Sequence, residues 1–357
     1  MGFGAGSKTW FGMAVSSSLL QVMTSAARAI RCIPGCARLV DGGALVLTLH
    51  RVAAIDPQGL QANESIKVTP GYLESLVQRL RADGYRFVSL DGLVRATRAG
   101  HRTTGLLCLT FDDGYQDNLE NALPLLERLK VPFTVYIPTA AADGRAFLWW
   151  FALGEFLLDR AFVRLSNGRI LSCRTKEERE RAFAEIRGAL LTSSGMDARE
   201  FLLGSIRDFE SALVQGSPGR YTMNWDGIRK LAKSPLATIG CHTVTHSNLR
   251  SLSEPAARQE LSESKARLEK VIGKEVRHLA FPFGGPGEAG EREYRLASEA
   301  GFTTAATTLP GSVGRGRVGL FHRLPRIFVR EGANPDHLIA ENRARVWRAA
   351  IGRLVST

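Results

Sequence analysis

Two carboxylates stand side by side at Asp112 and Asp113, directly after the apolar run 106–111 and before Gly114. An apolar run too short for a helix and bounded by Gly105 and Gly114 reads as a buried strand. Two adjacent buried aspartates repel each other and are costly to desolvate. A divalent cation relieves this by taking one carboxylate as a ligand and leaving the other free as a base. The alternative is an Asp-Asp-Gly turn with both side chains in water. A second chemical pair is His242 and His246, four residues apart, after another short apolar run at 236–241. At that spacing two imidazoles share one face of a helical turn and can chelate one metal. Each pair follows a strand, so the two can converge on one rim. His50 closes a third such run at 44–50.

These strands belong to a longer alternation with helices. Thr69 caps a helix whose apolar face is Leu73, Leu76, Val77 and Leu80, and Gly84 ends it. A strand follows at 87–90, with Asp91 as cap of a short helix. After the Asp-Asp strand come a helix over 121–130 and a strand over 132–137. The rhythm breaks between about 141 and 234, where charged and aromatic helical patterns without clear strands read as an insertion. It resumes at 236–241, with a helix over 254–272, a helix over 291–300, and strands at 302–306 and 323–329. Strands separated by helices imply a parallel sheet with crossover connections. Side chains for chemistry on the C-terminal ends of such strands are characteristic of a (β/α) barrel.

Composition narrows the class. The chain has 357 residues, 44% of them hydrophobic, enough for a sizeable core. Its net charge of +12 is spread along the chain rather than gathered into the like-charge block of a nucleic-acid tail. Five cysteines, Cys32, Cys36, Cys108, Cys173 and Cys241, are an odd number and fit no zinc framework. Residues 10–27 carry no charge and follow Lys8, but Ser16 to Ser18 and Gln21 weaken them as a signal peptide or a membrane span. A retained extension over 1–40, amphipathic or signal-like, is the expectation. The expected barrel runs over 41–332 and a C-terminal helix over 333–357.

Thr110-Phe111-Asp112-Asp113-Gly114 and His242-Thr243-Val244-Thr245-His246 closely resemble the first two motifs of the polysaccharide deacetylases, the NodB-homology or carbohydrate esterase 4 family. The resemblance covers most of 44–330, with the insertion outside it. It implies a distorted seven-stranded (β/α) barrel and a divalent metal, usually zinc. It further implies Asp112 as general base, with Asp113, His242 and His246 as metal ligands. Phe281-Pro282-Phe283-Gly284 resembles the third, cleft-lining motif, but Phe281 replaces the arginine that orients the base. Arg326 and Arg277 are candidate substitutes. The C-terminal histidine acid has no clear counterpart. Leu47-Thr48-Leu49-His50-Arg51 instead resembles the opening strand of members with permuted motifs, which makes His50 the acid and His322 the reserve. Trp149 and Trp150 are candidate sugar-stacking platforms, against the alternative that both belong to the core of the insertion.

The expected activity is therefore hydrolysis of N-acetyl groups on an amino-sugar glycan or glycolipid. Hydrolysis of another amide bond, such as lipid-linked sugar deformylation or small-molecule amide hydrolysis, shares the metal and the barrel. A non-catalytic glycan-binding barrel is disfavoured by the intact Asp112, Asp113, His242 and His246. The expected partner is the glycan or a lipid-linked sugar, with peripheral membrane contact as a further candidate and no nucleic acid. Cytoplasmic or membrane-associated placement is expected, or periplasmic if the N-terminus is a signal peptide.

Overall fold

The computed structural model describes residues 43–192, 198–212, 220–314 and 318–334. The expected extension over 1–40 lies outside them, as does all but the start of the expected C-terminal helix. Among the described residues no helix is long and apolar enough to cross a membrane.

Seven parallel strands form the frame: β1 Leu45–Leu49, β2 Leu106–Phe111, β3 Phe133–Ile137, β4 Ala237–Cys241, β5 His278–Ala280, β6 Thr304–Ala306 and β7 Ile327–Phe328. They lie in the order β6-β5-β4-β3-β2-β1-β7, and the short strand Arg86–Phe87 pairs beside β2. The segment entering β7 returns to the far edge. Leu324 bridges Ala306 in parallel and donates its N–H to Ala305 O at 2.8 Å, while Val329 N–H reaches Thr48 O at 3.0 Å. One segment thus touches both sheet edges and closes the curl into a distorted barrel.

The strands are apolar on both faces because both are covered. Leu45, Leu47, Leu107, Leu109, Phe133 and Val135 face the outer helices. Their neighbours Val46, Cys108, Tyr136, Ala280, Ala306 and Leu324 meet inside the barrel. Leu90, Leu93 and Val94 join that interior cluster from one helix. Period-two alternation then carries His50, Asp112, His242 and Arg326 inward at the C-terminal rim.

The outer helices follow their caps. Helix α1, Pro70–Ala82, begins where Thr69 Oγ1 accepts the Tyr72 N–H at 3.1 Å, and buries Leu73, Leu76, Val77 and Leu80. The next strand stops at Phe87, not at residue 90, because Leu90 opens helix α2, Leu90–Arg98. Its cap is Ser89, whose Oγ accepts the Gly92 N–H at 3.1 Å, while Asp91 turns towards His278 and Arg277. The helix expected over 121–130 is a π turn at Asn118–Ala122 followed by α3, Leu123–Arg128. The Asn118 and Asn121 amides there hold the end of β1, donating to His50 O and Val52 O at 2.8 and 2.7 Å.

The insertion has its own core, in which Trp149, Leu153, Phe156, Phe183, Ile186 and Leu202 meet. It carries helices α4 Trp149–Leu158, α5 Lys176–Thr192 and α6 Ala198–Ser205. In this stretch, where the sequence shows no clear strands, Phe162–Arg164 and Ile170–Ser172 pair as an antiparallel hairpin. Both feet of the insertion stand on the rim. At its start Thr139 and Ala140 donate to Thr243 O and Val244 O at 3.1 and 2.8 Å. At its end Tyr221 O accepts from Gln116 N–H at 2.7 Å, and Met223 N–H donates to Gly114 O at 2.9 Å. Helices α7 Trp225–Leu231, α8 Glu254–Ile272 and α9 Glu291–Glu299 complete the coat.

Candidate active site

The two carboxylates part company at the end of β2. Asp112 continues the ladder, its N–H donating to Leu49 O at 3.0 Å, and its side chain stays inside the barrel. Asp113 adopts a left-handed backbone with φ of 69°, which turns its carboxylate towards the histidines. Its Oδ1 lies 3.4 Å from His242 Nε2 and 3.1 Å from His246 Nε2. The His242–His246 segment is not the expected helical turn, since Thr243 and His246 have φ of 66° and 62°. Glu260 of α8 shapes it by accepting the Val244 and Thr245 N–H groups at 2.8 and 2.9 Å. Left-handed non-glycine residues are uncommon and cluster where function demands them.

Asp113, His242 and His246 offer three ligand atoms within 4.8 Å of one another. Asp113 Oδ1 is buried and has no hydrogen-bond donor. His242 Nδ1 is engaged with Ala280 O at 2.8 Å, which makes it the protonated nitrogen and leaves Nε2 free to ligate. One carboxylate and two imidazoles suit a zinc-like cation, so the residues present fit a divalent metal. Burial pushes the Asp113 carboxyl up, but His242 and His246 hold it well below the usual range. Burial likewise pushes His242 down, and Asp113 and Asp112 more than reverse this.

Asp112 is gripped by Arg326. The guanidinium donates Nη1–H to Oδ1 at 2.6 Å and Nη2–H to Oδ2 at 2.8 Å, and its Nε–H reaches Thr307 O at 2.9 Å. Both residues are buried, and burial raises the Asp112 pKa less than Arg326 and His242 lower it. Of the two candidate arginines, it is Arg326, just before β7, that reaches Asp112. Arg277 does not, because it pairs with Asp91 at 3.2 Å, near the start of β5.

His50 sits at the end of β1, beside Asp112 across the ladder. Its Nδ1 is shut from solvent without a hydrogen-bond partner, and its ring meets Phe328 edge-on at 5.4 Å. Burial lowers its pKa, against the pull of Asp113 and Asp112. His322 is elsewhere, its Nε2 bound to Phe302 O at 2.8 Å, before β6 begins.

The cleft wall differs in detail from expectation. Phe281 is buried in the core against Tyr294, at 5.7 Å, and Pro282 is buried too, so neither side chain is free for a ligand. Phe283 is 38% exposed, has φ of 62°, and meets the His246 ring at 5.0 Å. Gly284 keeps this bend tight, since a Cβ there would come within 2.9 Å of Thr308 N. Trp149 is not a platform. It stacks on Phe183 inside the insertion, while Trp150 lies 5.4 Å from the His246 ring. Tyr115 and Arg51 stand beside the Asp-Asp-Gly turn as well. Arg51 pairs with Asp117 at 2.8 Å and lies over the rings of Tyr115, Phe151 and Tyr221.

A parallel barrel with an Asp/His/His cluster and an Arg-held aspartate on its C-terminal rim defines a carbohydrate-deacetylase type of hydrolase. The polysaccharide deacetylase family model matches residues 99–150 and 188–305, and the chain belongs to that family, whose members hydrolyse carbon–nitrogen bonds other than peptide bonds. Solved structures share the fold. The deacetylase PplD of Streptococcus pyogenes, in complex with acetate, aligns with a TM-score of 0.56 at 17% identity, over 83% of this chain and 96% of that one. IcaB from Ammonifex degensii aligns at 0.52 and 17%, over 85% and 97%. The polysaccharide deacetylase BC0361 from Bacillus cereus aligns at 0.52 and 17%, over 84% and 69%. No curated protein matches the chain.

Proposed function

We propose that the protein removes N-acetyl groups from an amino-sugar glycan or a lipid-linked amino sugar, with a zinc-like cation held by Asp113, His242 and His246. The observation that carries this reading is the joint placement of that cluster and the Arg326-held Asp112 on one rim. When bound, the metal supplies Lewis acidity to the amide carbonyl and lowers the pKa of water from 15.7 towards roughly 7. Asp112 takes the proton from the attacking water, and the bidentate Arg326 fixes which way its oxygens point. His50 delivers a proton to the leaving amine nitrogen, so acetate and a free amino sugar result. Phe283 offers an exposed aromatic face for the sugar ring.

The test is acetate release from N-acetylglucosamine oligomers and lipid-linked N-acetylated sugars, with and without added zinc. Zinc-dependent acetate release is expected. Formate release from N-formylated sugars, without acetate release from any acetylated one, would move the assignment to another amide. Elemental analysis is the second arm. The parent should carry about one divalent ion per chain, and His242→Ala and His246→Ala should lose it.

A further inference from the structure

We propose that Trp150 and Tyr115 form a relay that orients the Asp113 carboxylate for metal binding, so that the insertion takes part in the metal site. The inference rests on Asp113 being a ligand. Besides the ligand oxygen Asp113 Oδ1, two buried polar atoms nearby have no hydrogen-bond partner: the Tyr115 hydroxyl and, packed against the Tyr115 cluster, Trp150 Nε1. Leaving such groups unpaired costs on the order of 1–3 kcal/mol each, so the cluster calls for a role.

The three groups have neighbours of fitting polarity. Tyr115 follows Asp113 by two residues, through the Gly114 turn, and is fully buried. Tyr115 packs in one apolar cluster with Phe151 and Val244, and Trp150 lies against it. Polarity then fixes the direction. An indole N–H can only donate, an ionised carboxylate can only accept, and a hydroxyl does both. The one consistent order is Trp150 Nε1–H to Tyr115 oxygen, and Tyr115 O–H to Asp113.

Trp150 is itself held in place. Its carbonyl accepts the Asn63 amide N–H at 3.0 Å, and Gly154 clears room for that amide, since a Cβ there would stand 2.4 Å from Asn63 Nδ2. Trp150 lies inside the insertion, in its first helix, and is the last residue matched before the family match breaks off, to resume at 188. Groups that hydrogen-bond a metal-binding carboxylate raise metal affinity by roughly 10–100-fold. Trp150 and Tyr115 are positioning residues in this scheme, acting through Asp113.

The experiment is zinc affinity, measured by chelator competition on the full chain. Tyr115→Phe should weaken binding about 10–100-fold. Trp150→Phe, which keeps a ring beside His246, should weaken it several-fold. The double variant should be no weaker than Tyr115→Phe alone, because the indole acts only through the hydroxyl. Phe151→Leu alters packing against the Tyr115 ring, 5.9 Å away, without touching a hydrogen-bonding atom, and should leave affinity unchanged. Unchanged affinity in Tyr115→Phe, additive effects in the double variant, or an equal loss in Phe151→Leu would each overturn the relay. Asp113→Ala is the reference. If it loses zinc while Tyr115→Phe does not, only the relay fails; if it keeps zinc, the metal assignment fails with it.

Discussion

At the scale of single residues, the two neighbouring aspartates are separated by backbone geometry rather than by side-chain chemistry. Asp112 remains in the strand and meets a guanidinium, whereas Asp113 turns through a left-handed conformation and meets two imidazoles. Their substitutions should therefore differ. Asp112→Asn should keep the metal and the fold and lose most turnover, by about 10²–10⁴-fold, because the proton acceptor is gone. Asp113→Asn should bind metal more weakly, so added zinc should partly restore its activity; equal responses to zinc in both variants would refute this division. His50→Ala should slow amide substrates far more than activated esters, whose leaving groups need no proton. Competition between such substrates in the His50→Ala and His322→Ala proteins tests this, and the His322 variant should match the parent.

At the scale of elements, the site was legible wherever a strand simply ran to its end. His50, Asp112 and His242 follow from period-two alternation along apolar runs, which the sequence displays openly. The hairpin at Phe162–Arg164 and Ile170–Ser172 was less visible, because each strand has three residues and charged helical patterns surround it. Its Asn167-Gly168 turn, with Gly168 at φ of 86°, was the available signal. Arg326 could be named as a candidate but not chosen over Arg277, since strand order alone decides which of them reaches Asp112. Trp149 and Trp150 were indistinguishable for a related reason: adjacent helical residues point about 100° apart, and only packing says which one faces the cleft.

Asp143, just past the insertion's first foot, is a second joint between elements. Its carboxylate accepts from Arg267 of α8 at 2.6 Å and from Trp225 Nε1 of α7 at 2.8 Å, and it pairs with Arg145 at 2.6 Å. Burial raises its pKa, but Arg267, Arg145 and Trp225 outweigh this and bring it from 3.8 down to about 2. A depressed folded-state value stabilises the protein above pH 3.8, and that contribution disappears as pH falls towards about 2. Water reaches this pairing and screens it, so Asp143→Asn should cost only about 1 kcal/mol at neutral pH and nothing below about pH 2. Urea denaturation of both proteins across that range should show the two stabilities converging.

At the scale of the whole molecule, barrel closure and the pairing of Asp112 with Arg326 go together. Arg326 lies in the segment that joins β6 to β1, so the guanidinium reaches Asp112 only when the ring is closed. Arg326→Lys keeps a charge but not the planar fork. It should lower turnover by roughly 10–100-fold through loss of positioning. Arg326→Met leaves a buried carboxylate without a partner, and should destabilise the fold by roughly 3–5 kcal/mol. Thermal melting alongside turnover separates the two effects; a lysine variant with full turnover would show that the fork is dispensable.

The two feet of the insertion, at Thr139–Ala140 and Tyr221–Met223, hydrogen-bond to the histidine loop and to the Asp-Asp-Gly turn. A segment anchored there is a natural unit of exchange: one insertion traded for another would alter the approach to the Asp113, His242 and His246 cluster while every strand of the barrel stayed intact. Such a transplant would not be neutral. Swapping residues 151–220 should preserve the chemistry only where the incoming segment meets Trp150 in the same pose, which makes that tryptophan the natural seam for any chimera.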